Sequence, residues 1–162
     1  QDVYLCVWRN PERTMTRIFP DAKDYKTISL AISPEQRKII ESELGFELLP
    51  GQEKQFLYYD MLGEDGESVG TIIAASQKGE YGIVEFVFGL DKDRAIKDIY
   101  VQRARERDRT FKKREFLDLF LGLKVSEADT VNSRYTGPET PGTKAVIRGV
   151  AKEMISLNNL SK

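Results

Sequence analysis

Alternating apolar and polar residues predict strands in the middle of the chain. Period-two patterns fill four segments between residues 55 and 104, and short turns rich in glycine, aspartate and lysine separate them. Strands joined by short turns pair with their sequence neighbours. We therefore expect an antiparallel meander of about four strands. Residues 21–27 are polar, and we expect them to form a connector.

Apolar residues at helical spacing predict helices on either side of this sheet. Ser33-Pro34-Glu35-Gln36 has the pattern of a capping box, and Gly45 is suited to end that helix. A second helix is expected from Thr110 to Gly122, and a last one with Thr143 as its N-cap. The predicted fold class is α+β, with helices packed on the sheet in a single domain of residues 1–162.

The amino-acid composition excludes several kinds of catalytic, metal and disulfide site. The chain has no histidine and one cysteine, which excludes His-ligated zinc, a Ser-His-Asp triad, an intramolecular disulfide and a cysteine-ligated iron–sulfur cluster. No catalytic residue and no metal-ligand set stands out. Any redox chemistry would need an organic cofactor. With 25 basic and 26 acidic side chains, overall charge favours neither nucleic acid nor a membrane surface as partner.

The hydropathy pattern also bears on location. No stretch approaches the roughly 18 apolar residues of a transmembrane helix. The chain starts at Gln1 and not at a methionine, so we expect that an N-terminal segment has been removed.

A basic stretch follows the last predicted strand. Its arginines occur at every second position, which places them on one face of an extended segment. The simplest interpretation is a charged, solvated sheet edge. Other interpretations are a phosphate contact, an acidic protein partner and, less well supported, RNA, because no aromatic side chains alternate with the arginines. The basic residues are Arg103, Arg105, Arg107, Arg109, Lys112, Lys113 and Arg114.

Residues 80–101 and the segment Phe116-Leu-Asp-Leu-Phe-Leu-Gly122 resemble a known family. They are similar to the hairpin and the following helix of flavin-mononucleotide (FMN) binding domains from Rnf-type electron-transport complexes and sodium-pumping NADH–quinone reductases. The resemblance covers residues 33–157 and leaves residues 1–32 as an N-terminal extension. The hairpin positions in register are Gly82, Ile83, Phe86, Val87, Gly89, Leu90, Asp91, Ile96 and Val101.

This resemblance implies where a flavin would bind. The family carries a Ser/Thr-Gly-Ala-Thr signature before a helix, and in covalent members the FMN phosphate is esterified to its last threonine. Thr136-Gly137 matches the opening pair and Thr140 falls at the attachment position. Pro138-Glu139 replaces the single alanine, and Ser133 stands where the flavin transferase expects an aspartate, so efficient covalent attachment is not implied.

General chemistry supports two interpretations of this loop. A phosphate placed before a helix meets free backbone N–H groups and the positive end of the helix dipole. Gly137 and Gly142 would allow close approach, and Thr136, Thr140 and Thr143 would offer hydroxyls. The alternative is a plain loop in which Thr143 caps the helix.

The resemblance further implies a flavin ring against the sheet edge at Tyr81 and Gly82. The expected function is an extracytoplasmic flavoprotein that relays electrons between redox protein partners, a carrier domain and not an enzyme with its own substrate. The alternative is a degenerate member without covalent flavin, acting as an interaction module in an exported redox assembly. Nucleic acid is not an expected partner.

Overall fold

The computed structural model describes residues 11–161, and side chains from Thr14 onward. The helices and strands are α1 (Pro11–Ile18), β1 (Asp24–Ala31), α2 (Pro34–Leu44), β2 (Gln55–Leu62), β3 (Ser68–Lys78), β4 (Ile83–Leu90), β5 (Ile96–Arg103), α3 (Arg114–Leu117) and α4 (Pro141–Leu160), with 3₁₀ segments at Thr110–Lys112, Asp118–Phe120 and Val125–Arg134.

The described strands form one antiparallel sheet in the order β1-β2-β3-β4-β5. The predicted α+β meander is confirmed, with five strands in the described residues where about four were expected. The additional strand is β1, which occupies part of the expected connector and pairs with β2 along its whole length. As an edge strand β1 has no fully buried residue, so its composition lacks the apolar signal that marks the inner strands.

Helices cover both faces of the sheet. On one face α4 crosses the sheet, and Gly149 lies directly over the ring of Phe86. On the other face the ring of Phe19, which directly follows α1, fits over Gly70 and Gly89, where any added Cβ would collide with it. The sheet is therefore the middle layer, and α2 packs on the outside of α4.

Helix α2 matches the prediction, whereas the structure differs from the prediction at the helix expected from Thr110 and at the N-cap of the last helix. Ser33 caps α2 with a complete capping box, and Gly45 ends it in the left-handed conformation (φ +80°). The helix expected from Thr110 to Gly122 is instead a series of short 3₁₀ and α turns. The N-cap of α4 is Thr140 and not Thr143, because Pro141 supplies the first helical residue and the two threonines bond reciprocally.

Candidate functional site

A cleft of about 620 Å³ opens where three parts of the chain meet. Its walls are the α2–β2 connection, the end of β3 with its turn into β4, and the N-terminus of α4. This volume lies within the range of small-molecule sites. The cleft is lined by Phe46, Glu47, Leu49, Gln77, Lys78, Gly79, Glu80, Glu139, Thr140, Pro141, Lys144 and Arg148.

Thr140 forms the rim of the cleft at the start of α4. Its Oγ1 accepts the backbone N–H of Thr143 at 3.1 Å, and the Thr140 N–H donates to Thr143 Oγ1 at 2.9 Å. Thr140 Oγ1 also donates to Asp108 Oδ2 at 2.6 Å. The hydroxyl thus caps the helix and binds a carboxylate from the basic stretch, which fixes the position of this wall.

The environment of Asp108 lowers the pKa of its carboxyl group. Burial acts in the opposite direction, but it is outweighed by hydrogen bonds from Thr140 Oγ1 and from the Thr110 and Arg109 backbone amides. Asp108 is consequently ionised beside Thr140 across the neutral pH range. A carboxylate here stabilises the hydroxyl donor and disfavours a second negative charge at the same point.

The turn between β3 and β4 forms the opposite wall, and Glu106 holds it. The Glu106 carboxylate accepts the backbone N–H of Glu80 and that of Tyr81, each at 2.8 Å. Gly79 leaves the space that this carboxylate fills, since a Cβ there would lie 2.8 Å from Glu106 Cδ. Gly82 has φ +143°, a conformation that favours glycine. Glu106 itself is buried.

The basic stretch therefore has two functional faces. The period-two prediction agrees with the exposure pattern: Arg103, Arg105, Arg107 and Arg109 are exposed, while Glu106 is buried. The acidic residues between the arginines point inward, Glu106 to one wall of the cleft and Asp108 to the other. The guanidinium of Arg107 lies 5.1 Å from the ring centroid of Tyr81. One short segment thus connects an exposed cationic surface with both walls of the cleft.

The residues predicted from sequence are only partly brought together. Thr140 lines the cleft, and Thr143 and Gly137 line an adjoining cavity of about 450 Å³. Tyr81 and Gly82 directly follow Glu80 in the wall but are not lining residues themselves. Tyr81 is exposed (44%).

The other predicted loop residues lie outside the cleft. Thr136 is exposed and lines neither cavity. The bare faces of the two glycines are filled by aromatic rings: a Cβ at Gly137 would lie 2.6 Å from Tyr135 Oη, and one at Gly142 would lie 2.1 Å from Phe111 Cδ1. The close approach at these glycines is therefore made by side chains of the protein.

Helix α4 contributes two cationic side chains to the lining of the cleft. Lys144 and Arg148 lie one helical turn apart on α4 and line both cavities. The Arg148 guanidinium lies 4.9 Å from the ring centroid of Phe46 in the opposite wall. The lining of the larger cleft contains three basic and three acidic residues, so net charge alone does not select an anionic ligand.

A buried lysine lies behind the floor of the cleft. Lys152 is fully buried, and its Nζ donates to Ser76 O at 2.6 Å, Gln77 Oε1 at 2.9 Å and Gln52 Oε1 at 3.2 Å. Gln52 Oε1 also accepts the backbone N–H of Leu49, a lining residue, at 3.3 Å. The network joins all three walls of the cleft.

Sequence reasoning did not identify Glu106, Asp108, Gln77 or Lys152. The apolar stripe of α4 gave no signal for Lys152, because a residue two positions after Val150 lies on the opposite side of the helix. Glu106 and Asp108 stand between the arginines of the basic stretch. Their inward direction could have been inferred from the same alternation that placed the arginines on one face.

Two further findings concern the described part of the chain. Among residues 11–161 no group of three or more Cys, Asp or Glu side chains is placed to hold a metal ion. None of the helices in this range combines the length and the apolar character needed to cross a membrane.

Comparison with known proteins adds no assignment. No protein-family model matches this chain, and no curated protein matches it significantly. The family resemblance therefore depends on the sequence positions named above.

Proposed function

We propose that this chain is an electron-carrier domain that binds FMN reversibly in the cleft. The observation that carries the proposal is the meeting of two segments about 60 residues apart in sequence. The resemblance predicts flavin contacts both in the loop ending in Thr140 and in the turn leading to Tyr81, and these two segments form opposite walls of one cleft.

The residues of the cleft fit FMN in its reversibly bound form. Its volume suits a ligand of this size. Lys144 and Arg148 offer cationic donors for a phosphate, and Phe46 adds an aromatic ring to the lining. Bound FMN would supply the one- and two-electron chemistry that the side chains lack.

A covalent bond at Thr140 fits less well. The hydroxyl already caps α4 and donates to Asp108, and a phosphoester there would place negative charge against an ionised carboxylate. We therefore favour reversible binding, in which the phosphate contacts Lys144 or Arg148 and Thr140 keeps its own partners.

The exposed arginines indicate the kind of redox partner. Arg103, Arg105 and Arg107 form a cationic surface that reaches the ring of Tyr81, next to the cleft wall. An acidic protein would be steered toward this surface and brought close to the cofactor. The resemblance to exported carriers also leads us to propose an extracytoplasmic location, which cell fractionation would test.

Titration of FMN against the purified protein tests the proposal. Binding should quench flavin fluorescence, and the double variant Lys144→Ala/Arg148→Ala should weaken it about tenfold through loss of charge-assisted contacts. The control is Lys26→Ala/Lys92→Ala, which removes the same charge from exposed strand and turn positions. An unquenched titration would refute the proposal.

A second candidate function follows from the occupied hydroxyl of Thr140. If the cleft holds no flavin, the domain is an interaction module that retains the fold and the cationic surface. Co-expression with a flavin transferase, followed by acid precipitation, separates the cases. Flavin in the pellet would indicate covalent attachment, and flavin in the supernatant would indicate reversible binding. If neither fraction contains flavin, the domain is the interaction module.

A further inference from the structure

Burying the side chain of Lys152 costs free energy, and packing alone does not explain why a lysine occupies this position. Removing an ammonium group from water is unfavourable unless its donors are satisfied, and an apolar side chain would fill the same space without that cost. All three of its N–H groups have acceptors in the network described above. Two of these acceptors, Ser76 O and Gln77 Oε1, belong to the β3 wall of the cleft, which suggests a role toward the ligand.

Lys152 determines which way the amide of Gln77 points. An ammonium group has only donors, so the atom it contacts at 2.9 Å must be the amide oxygen. Gln77 is 5% exposed and lines the cleft. With its oxygen held by Lys152, the amide has its NH₂ group left for a ligand. The floor of the cleft therefore offers a hydrogen-bond donor, with the Lys152 side chain directly behind it.

We propose that Lys152 is a positioning residue for the cleft: it orients Gln77 as a donor and makes the floor favour a ligand that presents a hydrogen-bond acceptor and gains negative charge. This inference rests on the proposed function. The isoalloxazine ring of FMN has carbonyl and ring-nitrogen acceptors. Once reduced by an external electron donor with two electrons and one proton, bound FMN would carry one more negative charge than its oxidised form, and an ammonium group at Lys152 would stabilise that charge.

The decisive variant is Gln77→Glu. Its carboxylate keeps the shape of the side chain and pairs with Lys152, so thermal stability should be unchanged or higher. It also replaces the NH₂ donor with an oxygen, so the affinity for oxidised FMN should fall about tenfold or more. The matched control is Asn159→Asp, the same amide-to-carboxylate change at the C-terminal end of α4, away from the cleft. It should change the affinity for FMN less than about twofold.

A second variant tests the charge separately. Lys152→Met keeps a long side chain and removes the ammonium. In mediated redox titrations the affinity of the variant for reduced FMN, relative to oxidised FMN, should fall about tenfold, seen as a midpoint potential lower by about 30 mV. If Lys152→Met does not fold, the same titration on Gln77→Glu applies, because its added carboxylate neutralises the charge and shifts the potential in the same direction.

The outcomes separate this inference from the proposed function. Lack of FMN binding by the wild-type protein refutes the proposed function and this inference with it. If the wild type binds FMN and the affinity of Gln77→Glu for FMN is within twofold of the wild-type affinity, this inference alone is refuted. Loss of affinity with retained stability supports it, since a purely structural role for Lys152 and Gln77 would leave FMN affinity unchanged.

Discussion

Replacement of Glu106 tests how the cleft wall is held. In Glu106→Gln the amide oxygen can accept one backbone N–H, but the NH₂ group then faces the other. The variant should lose one of the two 2.8 Å hydrogen bonds to Glu80 and Tyr81 and weaken the other. The turn should then open toward solvent, while the sheet behind it remains paired.

The expected cost follows from the geometry. Each hydrogen bond from a backbone N–H to a carboxylate contributes about 1.5–3 kcal/mol. Glu80 and Tyr81 are exposed, so water can replace part of the lost interaction. We therefore expect Glu106→Gln to lower the free energy of unfolding by about 2 kcal/mol, with the melting temperature falling roughly 4–8 °C in a domain of this size.

Urea unfolding and amide hydrogen exchange measure the two effects. The exchange rates of the Glu80 and Tyr81 amides should rise by more than the loss of unfolding free energy alone would produce. Such an excess indicates local opening of the turn. Glu64→Gln is the matched control, because Glu64 is exposed in the β2–β3 turn. A stability change below about 0.5 kcal/mol together with unchanged exchange at both amides would refute the assigned role of Glu106.

Three further predictions concern the start of α4. Thr140→Ala should cost about 1–2 kcal/mol and Thr140→Ser much less, by urea unfolding, because serine retains the cap and the donor to Asp108. Because the folded-state pKa of Asp108 is lowered, its carboxylate stabilises the fold fully above about pH 4, and this contribution is lost as the pH falls through the lower folded-state pKa. The difference in unfolding free energy between wild type and Asp108→Asn should therefore shrink in acid titrations. A difference that does not change with pH would contradict this. Gly142→Ala should destabilise by about 1–3 kcal/mol, because the new Cβ would lie 2.1 Å from Phe111; a variant as stable as wild type would show that the ring can move aside.

The largely buried strands and the helix with clear end signals were predictable from sequence. Strands β3 and β4 carry long apolar runs, and α2 has a capping box and a terminal glycine, so local chemistry defines them. Strand β1 was missed since an edge strand needs few apolar residues. The helix expected from Thr110 failed because the large side chains there, Phe111 among them, reach the core from short irregular turns.

Less of the cleft could be predicted than of the fold. Sequence reasoning identified Thr140 and the approach to Tyr81 through a resemblance, and the structure brings their segments together. It could not identify Gln77 and Lys152 as a pair, since their 2.9 Å contact joins residues 75 positions apart. Such contacts depend on how α4 crosses the sheet, which no local pattern specifies.

The inward carboxylates and outward arginines of residues 103–109 lie on a single short segment. Any partner that displaces this segment on binding would also move the Glu106 and Asp108 side chains that hold the two walls. Docking and ligand binding would then be thermodynamically linked. If a partner changes the affinity of the cleft by some factor, the ligand must change the affinity for that partner by the same factor. The domain could in this way present itself to a partner differently when its cleft is full and when it is empty.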